Sequence, residues 1–167
     1  MKDANYWISY LQLLKHPEGG YYKEVYRSKE LINQNHLPNR FNGDRCFCTS
    51  IYFLLQKNDF SAFHRIKSDE TWHFYQGTSL TLYMIDESGV LASFILGDNP
   101  ENNESLQITI PQNTWFAAHV NDKSSYTLTG CTVAPGFDFA DFELGKRKEL
   151  LNLFPQHKEV ITLLSLV

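Results

Sequence analysis

The run His64-Arg65-Ile66-Lys67-Ser68-Asp69-Glu70-Thr71-Trp72-His73-Phe74-Tyr75-Gln76-Gly77 sets polar side chains between apolar ones at intervals of two. A half-buried strand has that period, so the run reads as two strands joined by the turn Lys67-Ser68-Asp69. His64 and Ile66 then share one face of the first strand. Glu70, Trp72 and Phe74 share one face of the second, and His73 falls on the opposite side. With those faces turned inward, a histidine and a carboxylate meet inside a barrel lined with aromatic rings.

The same texture continues on both sides. Short apolar or alternating runs cover Tyr21 to Tyr26, Phe47 to Leu55, Phe60 to Ile66, Glu70 to Tyr75, Leu80 to Ile85, Val90 to Leu96, Leu106 to Ile110, Trp115 to Val120 and Ser125 to Val133. The segments between several of them supply the Gly, Asn, Asp and Ser that tight reversals need, as in Asp86-Glu87-Ser88-Gly89 and Asn121-Asp122-Lys123-Ser124. So many short strands within one stretch predict antiparallel pairing in an all-β barrel or sandwich. Lys29 to Asp44 and Gly97 to Ser105 break the rhythm and read as loops, the first long enough for a lid over a pocket or an arm toward a partner. Trp7, Tyr10, Leu11 and Leu14 lie at helical spacing behind an Asp3 cap, and His16-Pro17-Glu18-Gly19-Gly20 stops that helix. Leu144, Lys148, Leu151 and Phe154, ending at Pro155, predict a second helix, and Val160, Ile161 and Leu164 a third. Short helices therefore flank the barrel at both ends.

A chain of 167 residues fits one domain spanning its whole length, residues 1–167. The formal net charge of -4 supplies neither a basic groove for nucleic acid nor a basic face for a membrane. No run approaches the roughly 20 apolar residues that span a bilayer, and the start MKDANYWISYLQLL lacks a basic leader and a small-residue cleavage site. A soluble, cytoplasmic protein is expected. Cys46, Cys48 and Cys131 cannot all pair within one chain, and Cys46 and Cys48 stand too close along an extended strand for easy bridging, so reduced thiols are expected.

His64 and Glu70 are the candidate catalytic residues. The pair can ligate a metal or work as an acid/base couple whose proton affinities burial shifts; the plain alternative is a buried histidine held by one structural hydrogen bond. A stable transition-metal site needs three protein ligands, whereas His64 with Glu70 offers two. His119 is the nearest third candidate, but alternation groups it with Trp115 and Ala117, opposite Phe116. No cofactor is expected, a divalent metal being the lesser alternative. Trp72, Phe74, Trp115 and Phe116 are the candidate stacking walls for a ligand. Tyr22 and Glu24 read as pocket wall or solvated edge, Tyr52 as a source of a hydroxyl, and Asp138 as an acid at the barrel mouth. Glu24 and Arg27 face opposite sides of an ideal strand. Asp141 and Glu143 read as caps for the following helix, and Gly19-Gly20 as a tight turn.

The spacing H-x-x-x-x-x-E-x-x-x-x-x-x-G, met by His64, Glu70 and Gly77, resembles the first cupin motif, with Ile66 where that motif has its second histidine. Pro111-Gln112-Asn113-Thr114-Trp115-Phe116 resembles the later motif P-x-G-x-x-H, with Asn113 for the glycine and Phe116 for the histidine. HPEGGYYKEVYRS (16–28), SIYFLL (50–55), SAFHRIKSDETWHFYQG (61–77), IPQNTWFAA (110–118) and GCTVAPGFDFADFELG (130–145) are similar, in order, to segments of the cupin-5 family, the domain of unknown function 985. That resemblance implies a double-stranded β-helix, the jelly-roll cupin barrel, usually dimeric, whose own pattern lacks the same two metal ligands and which has no agreed activity. Gly20-Tyr21-Tyr22-Lys23-Glu24 is similar to a G-x-F-x-E stretch of the metal-free dTDP-sugar epimerases, which implies a barrel histidine as base, matched by His64, and a tyrosine as acid, for which Tyr52 or Tyr75 stands available. The expected function is binding of a small polar metabolite by a homodimer. It is joined either to metal-free isomerisation or epimerisation of a sugar or nucleotide derivative, or to storage and sensing without catalysis; a metal-dependent dioxygenase is the more remote alternative.

Overall fold

The computed structural model describes residues 2–166. Asp3 opens helix α1 (Ala4–Leu11) by accepting the Tyr6 N–H at 2.8 Å, and Gln12 closes it at φ 55°. The strands follow in chain order: β1 (Leu14–Lys15), β2 (Tyr21–Arg27), β3 (Leu31–Ile32), β4 (Arg45–Cys46), β5 (Thr49–Gln56), β6 (Phe60–Arg65), β7 (Asp69–Gly77), β8 (Leu80–Ile85), β9 (Leu91–Leu96), β10 (Glu104–Ser105), β11 (Gln107–Ile110), β12 (Trp115–Val120), β13 (Tyr126–Ala134) and β14 (Glu143–Leu144). Helices α2 (Arg147–Leu153) and α3 (Lys158–Leu163) end the chain, with Pro155 placed where α2 stops. Two six-stranded sheets, ordered β1-β2-β5-β13-β7-β11 and β10-β9-β8-β12-β6-β14, form a jelly-roll barrel. Pairing is antiparallel except between β9 and β10, which run parallel. None of the helices described is long and apolar enough to cross a membrane.

Three apolar layers hold the fold. The barrel interior is filled from both sheets, by Phe53, Leu55, Trp72, Leu82, Phe116 and Val120 among others. Outside one sheet, Phe63, Ile85, Trp115 and Ala117 pack under Leu150 and Ile161 of the C-terminal helices and Leu164 just after them. Outside the other, Leu54, Tyr126 and Leu128 pack under α1, with Tyr52 joining them. Strands β5 and β12 thus bury both faces, alternate residues going to the barrel and to a helix. That arrangement removes two expected ligand walls. Trp115 and Tyr52 are aromatic because helices cover them, and both sit on the outer side of the barrel wall.

The segment Lys29 to Asp44 holds β3 and a one-turn 3-10 helix, Gln34–His36, and is pinned by the buried Phe41 and by Arg40 Nε donating to the Lys67 carbonyl at 2.7 Å. It contributes no residue to the cavity wall, so it is no lid. The acidic-aromatic run after Gly136 takes that position instead. There Asp138 caps the 3-10 turn Phe139–Asp141 by accepting the Ala140 N–H at 2.8 Å, which accounts for its acidity without a ligand. Asp141 is no helix cap. It is buried, and both its oxygens are held by Arg45, at 2.6 Å and 2.7 Å, with Lys67 Nζ at 3.4 Å. Glu143 is likewise paired, to Arg65 across β14 and β6 at 2.7 Å, and α2 starts without a side-chain cap.

At Gly19 the backbone turns at φ 115°, and a Cβ there would lie 2.1 Å from the Phe60 carbonyl oxygen. Only glycine allows the turn to lie flat on the barrel, where the Glu18 carbonyl accepts the Ala62 N–H at 2.9 Å. Gly19→Ala should therefore cost more than about 1 kcal/mol of stability, read from the urea midpoint. Asp141→Ala, which strands a buried guanidinium, should cost about 3 to 5 kcal/mol, and an apolar replacement of both partners, Arg45→Met with Asp141→Leu, should recover most of that loss.

Candidate functional site

A cavity of about 290 Å³ lies in the barrel. Strand β6 brings His64 to it, β7 brings Glu70 and Trp72, β5 brings Phe53, and the loop before β2 brings His16 and Glu18. Its rim carries the exposed Glu24 and Arg27 and the covering rings of Phe137, Phe139 and Phe142, which meet edge to face. On an ideal strand Glu24 and Arg27 would diverge. The register of β2 against β5 slips between Glu24 and Tyr26, and this bulge turns Arg27 back so that its Nε and Nη2 reach the Glu24 carboxylate at 3.0 Å and 2.7 Å.

The centre of the site is a carboxyl-imidazole contact: Glu18 Oε2 lies 3.1 Å from His64 Nε2, both groups almost wholly buried. The tautomer follows from the partners. His64 Nδ1 is 2.7 Å from the Ala62 carbonyl oxygen, which only accepts, so Nδ1 carries a hydrogen. In the neutral ring Nε2 is then a bare acceptor, and the hydrogen between it and Glu18 Oε2 belongs to the carboxyl. The other Glu18 oxygen accepts from Ser61 Oγ at 2.8 Å. Phe116 and Phe142 flank the imidazole, with ring centroids at 4.0 Å and 5.4 Å.

Burial sets the protonation of this group. It lowers His64 to about 3, the Ala62 hydrogen bond opposing only in part. It pushes Glu18 well above the carboxylate range, and the nearby Glu70 adds to the rise. Both directions favour the neutral pair, with one proton shared between Glu18 and His64. Glu70, raised by burial to about 7, has Trp72 Nε1 donating to Oε1 at 3.0 Å and the Cys131 thiol beside it. His16, lowered by burial to about 4, packs edge-on to Tyr22 with its Nδ1 3.4 Å from Glu18.

Of the residues expected from sequence, His64, Glu70, Tyr22, Glu24 and Trp72 line the cavity. Phe116 stands behind the His64 ring, and Phe74 packs against the barrel core away from the lining. Tyr52, Trp115 and Asp138 lie elsewhere, as described above. His64 does not work with Glu70 as first partner; Glu18 takes that place. Sequence alternation could not find Glu18 or His16, because both sit on a loop, and the signal that was present is the Gly19-Gly20 pair fixing the loop against the barrel.

The resemblance to the cupin motifs raises the question of a metal, and these residues do not fit one. Ile66 lines the cavity where the motif has a histidine, Phe116 occupies the other ligand position, and His64 Nε2 is already engaged by Glu18. His119 lies on the outer face, 3.5 Å from the Tyr83 hydroxyl. Among the described residues, no group of three or more His, Cys, Asp or Glu side chains is arranged to hold an ion.

Comparison with known proteins gives the lineage. A yeast protein, the uncharacterized YML079W of Saccharomyces cerevisiae, is 29% identical over 149 residues, covering 84% of this chain and 74% of the yeast one. Protein SO0799 of Shewanella oneidensis has a solved structure that superposes with a TM-score of 0.90 at 39% identity, over 99% of each chain. A hypothetical protein from Leishmania major gives 0.87 at 36% identity, again over 99% of each. Oxalate decarboxylase from Bacillus subtilis shares the fold alone, with a TM-score of 0.55 at 16% identity over 90% of this chain and 36% of that one. The family model for the cupin superfamily domain of unknown function 985 matches residues 5–145, and the chain belongs to that family.

Proposed function

We propose that the cavity binds a compact polar ring compound, such as a sugar derivative, and moves a proton on it without a metal, as isomerisation or epimerisation beside a carbonyl requires. The observation that carries this reading is the 3.1 Å contact between Glu18 Oε2 and His64 Nε2 in a cavity walled by aromatic rings. A volume of about 290 Å³ equals that of about ten waters in the liquid, room for one ring and its substituents. His64 has both nitrogens engaged, so it acts as the positioning and proton-holding residue, and Glu18 is the group that faces substrate. With the proton on His64, Glu18 is a carboxylate able to take one from carbon; with the proton returned, it is an acid able to give one back. Glu70, protonated below its value of about 7, can donate a hydrogen bond to a developing oxyanion.

A second reading has an observation of its own. Glu18 and His64 satisfy each other fully in the ligand-free barrel, which suits a binding or sensing module equally well. Exchange separates the two. In heavy water with a panel of aldoses, ketoses and keto-sugars, a catalyst incorporates deuterium beside the carbonyl, and Glu18→Gln slows this by about a hundredfold or more. Ligands that bind without any incorporation would establish the binding module.

The titrations also govern stability. Between the ordinary carboxyl value of 4.5 and about 7, folded Glu70 keeps a proton that the unfolded chain has lost, so stability falls as pH rises through that window. His64 and His16 act oppositely: the unfolded chain gains protons below 6.5 that the folded chain refuses until about 3 and about 4, so stability falls as pH drops. Glu18, itself raised by burial and by Glu70, adds in the same direction as Glu70, and burial pushes the neighbouring Cys131 thiol up as well. Glu70→Gln should therefore raise Tm more at pH 8 than at pH 5, as thermal unfolding at the two values would record.

A further inference from the structure

The charges that line the cavity are unbalanced in one direction. Three carboxyl side chains reach it, those of Glu18, Glu24 and Glu70, against a single guanidinium, Arg27. Arg27 is already committed: besides both Glu24 oxygens, its Nη1 donates to the Phe137 carbonyl at 3.0 Å. The two inner carboxyls have only uncharged or weakly basic neighbours. Glu18 meets Ser61 and the His64 and His16 rings, and Glu70 meets the Trp72 N–H and the Cys131 thiol. No lysine and no second arginine appears among the described residues lining the cavity. The rings of Tyr22, Phe53, Trp72 and Phe142 line the same cavity, and the π-face of such a ring attracts an organic cation through its quadrupole.

Resting on the reading of this cavity as the ligand site, we infer that its ligand presents a protonated amine or amidinium group to Glu18 and Glu70, with the rest of its ring against the aromatic wall. A cation there supplies the partner whose absence makes ionisation of a buried carboxyl unfavourable. The step is balanced: the ammonium enters with its charge, one carboxyl loses its proton to solvent, and the ion pair that remains in the cavity is neutral. A carboxylate or phosphate directed inward meets two carboxyls and no free cationic donor, which disfavours a nucleotide phosphate at this end and favours an amine-bearing sugar or similar base.

Isothermal titration with benzylamine, benzyl alcohol and benzoate tests the inference, because these probes share one body and differ in head group. Benzylamine should bind about tenfold tighter than benzyl alcohol, the increment expected when a hydrogen bond gains a charged partner, and benzoate should bind weakest. Glu70→Gln and, separately, Glu18→Gln should each shrink the benzylamine advantage, with circular dichroism confirming the fold. Equal binding of benzylamine and benzyl alcohol, or tightest binding by benzoate, would overturn the charge preference while leaving the cavity as a ligand site. Absence of any effect of all three on cavity signals such as the Trp72 indole resonance, up to millimolar concentration, would overturn both.

Discussion

The contact between Glu18 and His64 joins a loop to a barrel strand in a place water barely reaches, and much of the surrounding architecture answers to it. A carboxyl and an imidazole removed from water are unfavourable unless each finds its hydrogen-bond partners. Ser61 and the Ala62 carbonyl meet that demand from β6, the strand that carries His64, and the Glu18 backbone is fastened to the same strand. The loop can lie that close only because Gly19 presents no side chain to the Phe60 carbonyl. A backbone constraint outside the cavity therefore places the carboxyl that meets His64 inside it.

The cover of the cavity depends on a second buried pair. The Phe137 to Phe142 segment would be a polar excursion with three exposed rings if nothing held it. Arg45 grips both oxygens of Asp141 from beneath, while the Phe137 N–H donates to Thr49 Oγ1 and its carbonyl accepts from Arg27. The rings are thereby turned over the mouth, where they exclude water and so sustain the shifted proton affinities of His64, Glu18 and Glu70. Rim and interior are thus one electrostatic unit: Arg27 serves the cover and neutralises Glu24, and the inner carboxyls are left to whatever ligand enters.

Family membership fits this division. The solved structures from Shewanella oneidensis and Leishmania major match this fold closely over nearly the whole of each chain, whereas the likeness to oxalate decarboxylase is a looser one of fold that takes in 36% of that chain. In this chain the positions that carry metal ligands in the general cupin motif hold Ile66 and Phe116, and both serve packing: one in the cavity wall, one behind the histidine it would otherwise assist.

The longer barrel strands were legible from residues alone, because period two along His64 to Gly77 is a local property; the two-residue strands β1, β3, β4, β10 and β14 carry no pattern long enough to read. Alternation also grouped His64 with Ile66 on one strand face and Glu70 with Trp72 on one face of the next, and the cap at Asp3 and stop at Pro155 followed from chemistry confined to a single turn. Local pattern cannot say which of two apolar faces is the interior: β5 and β12 are apolar on both, since helices cover their outer sides, so Tyr52 and Trp115 read from sequence as candidate pocket residues. Nor could it see the bulge that turns Arg27 to Glu24, or that Asp141 would meet Arg45 rather than a helix end. The partner of His64 was decided by tertiary structure alone. Glu18 lies far from it along the chain, on a loop without periodicity, and only closure of the barrel brings carboxyl and imidazole within reach of one proton.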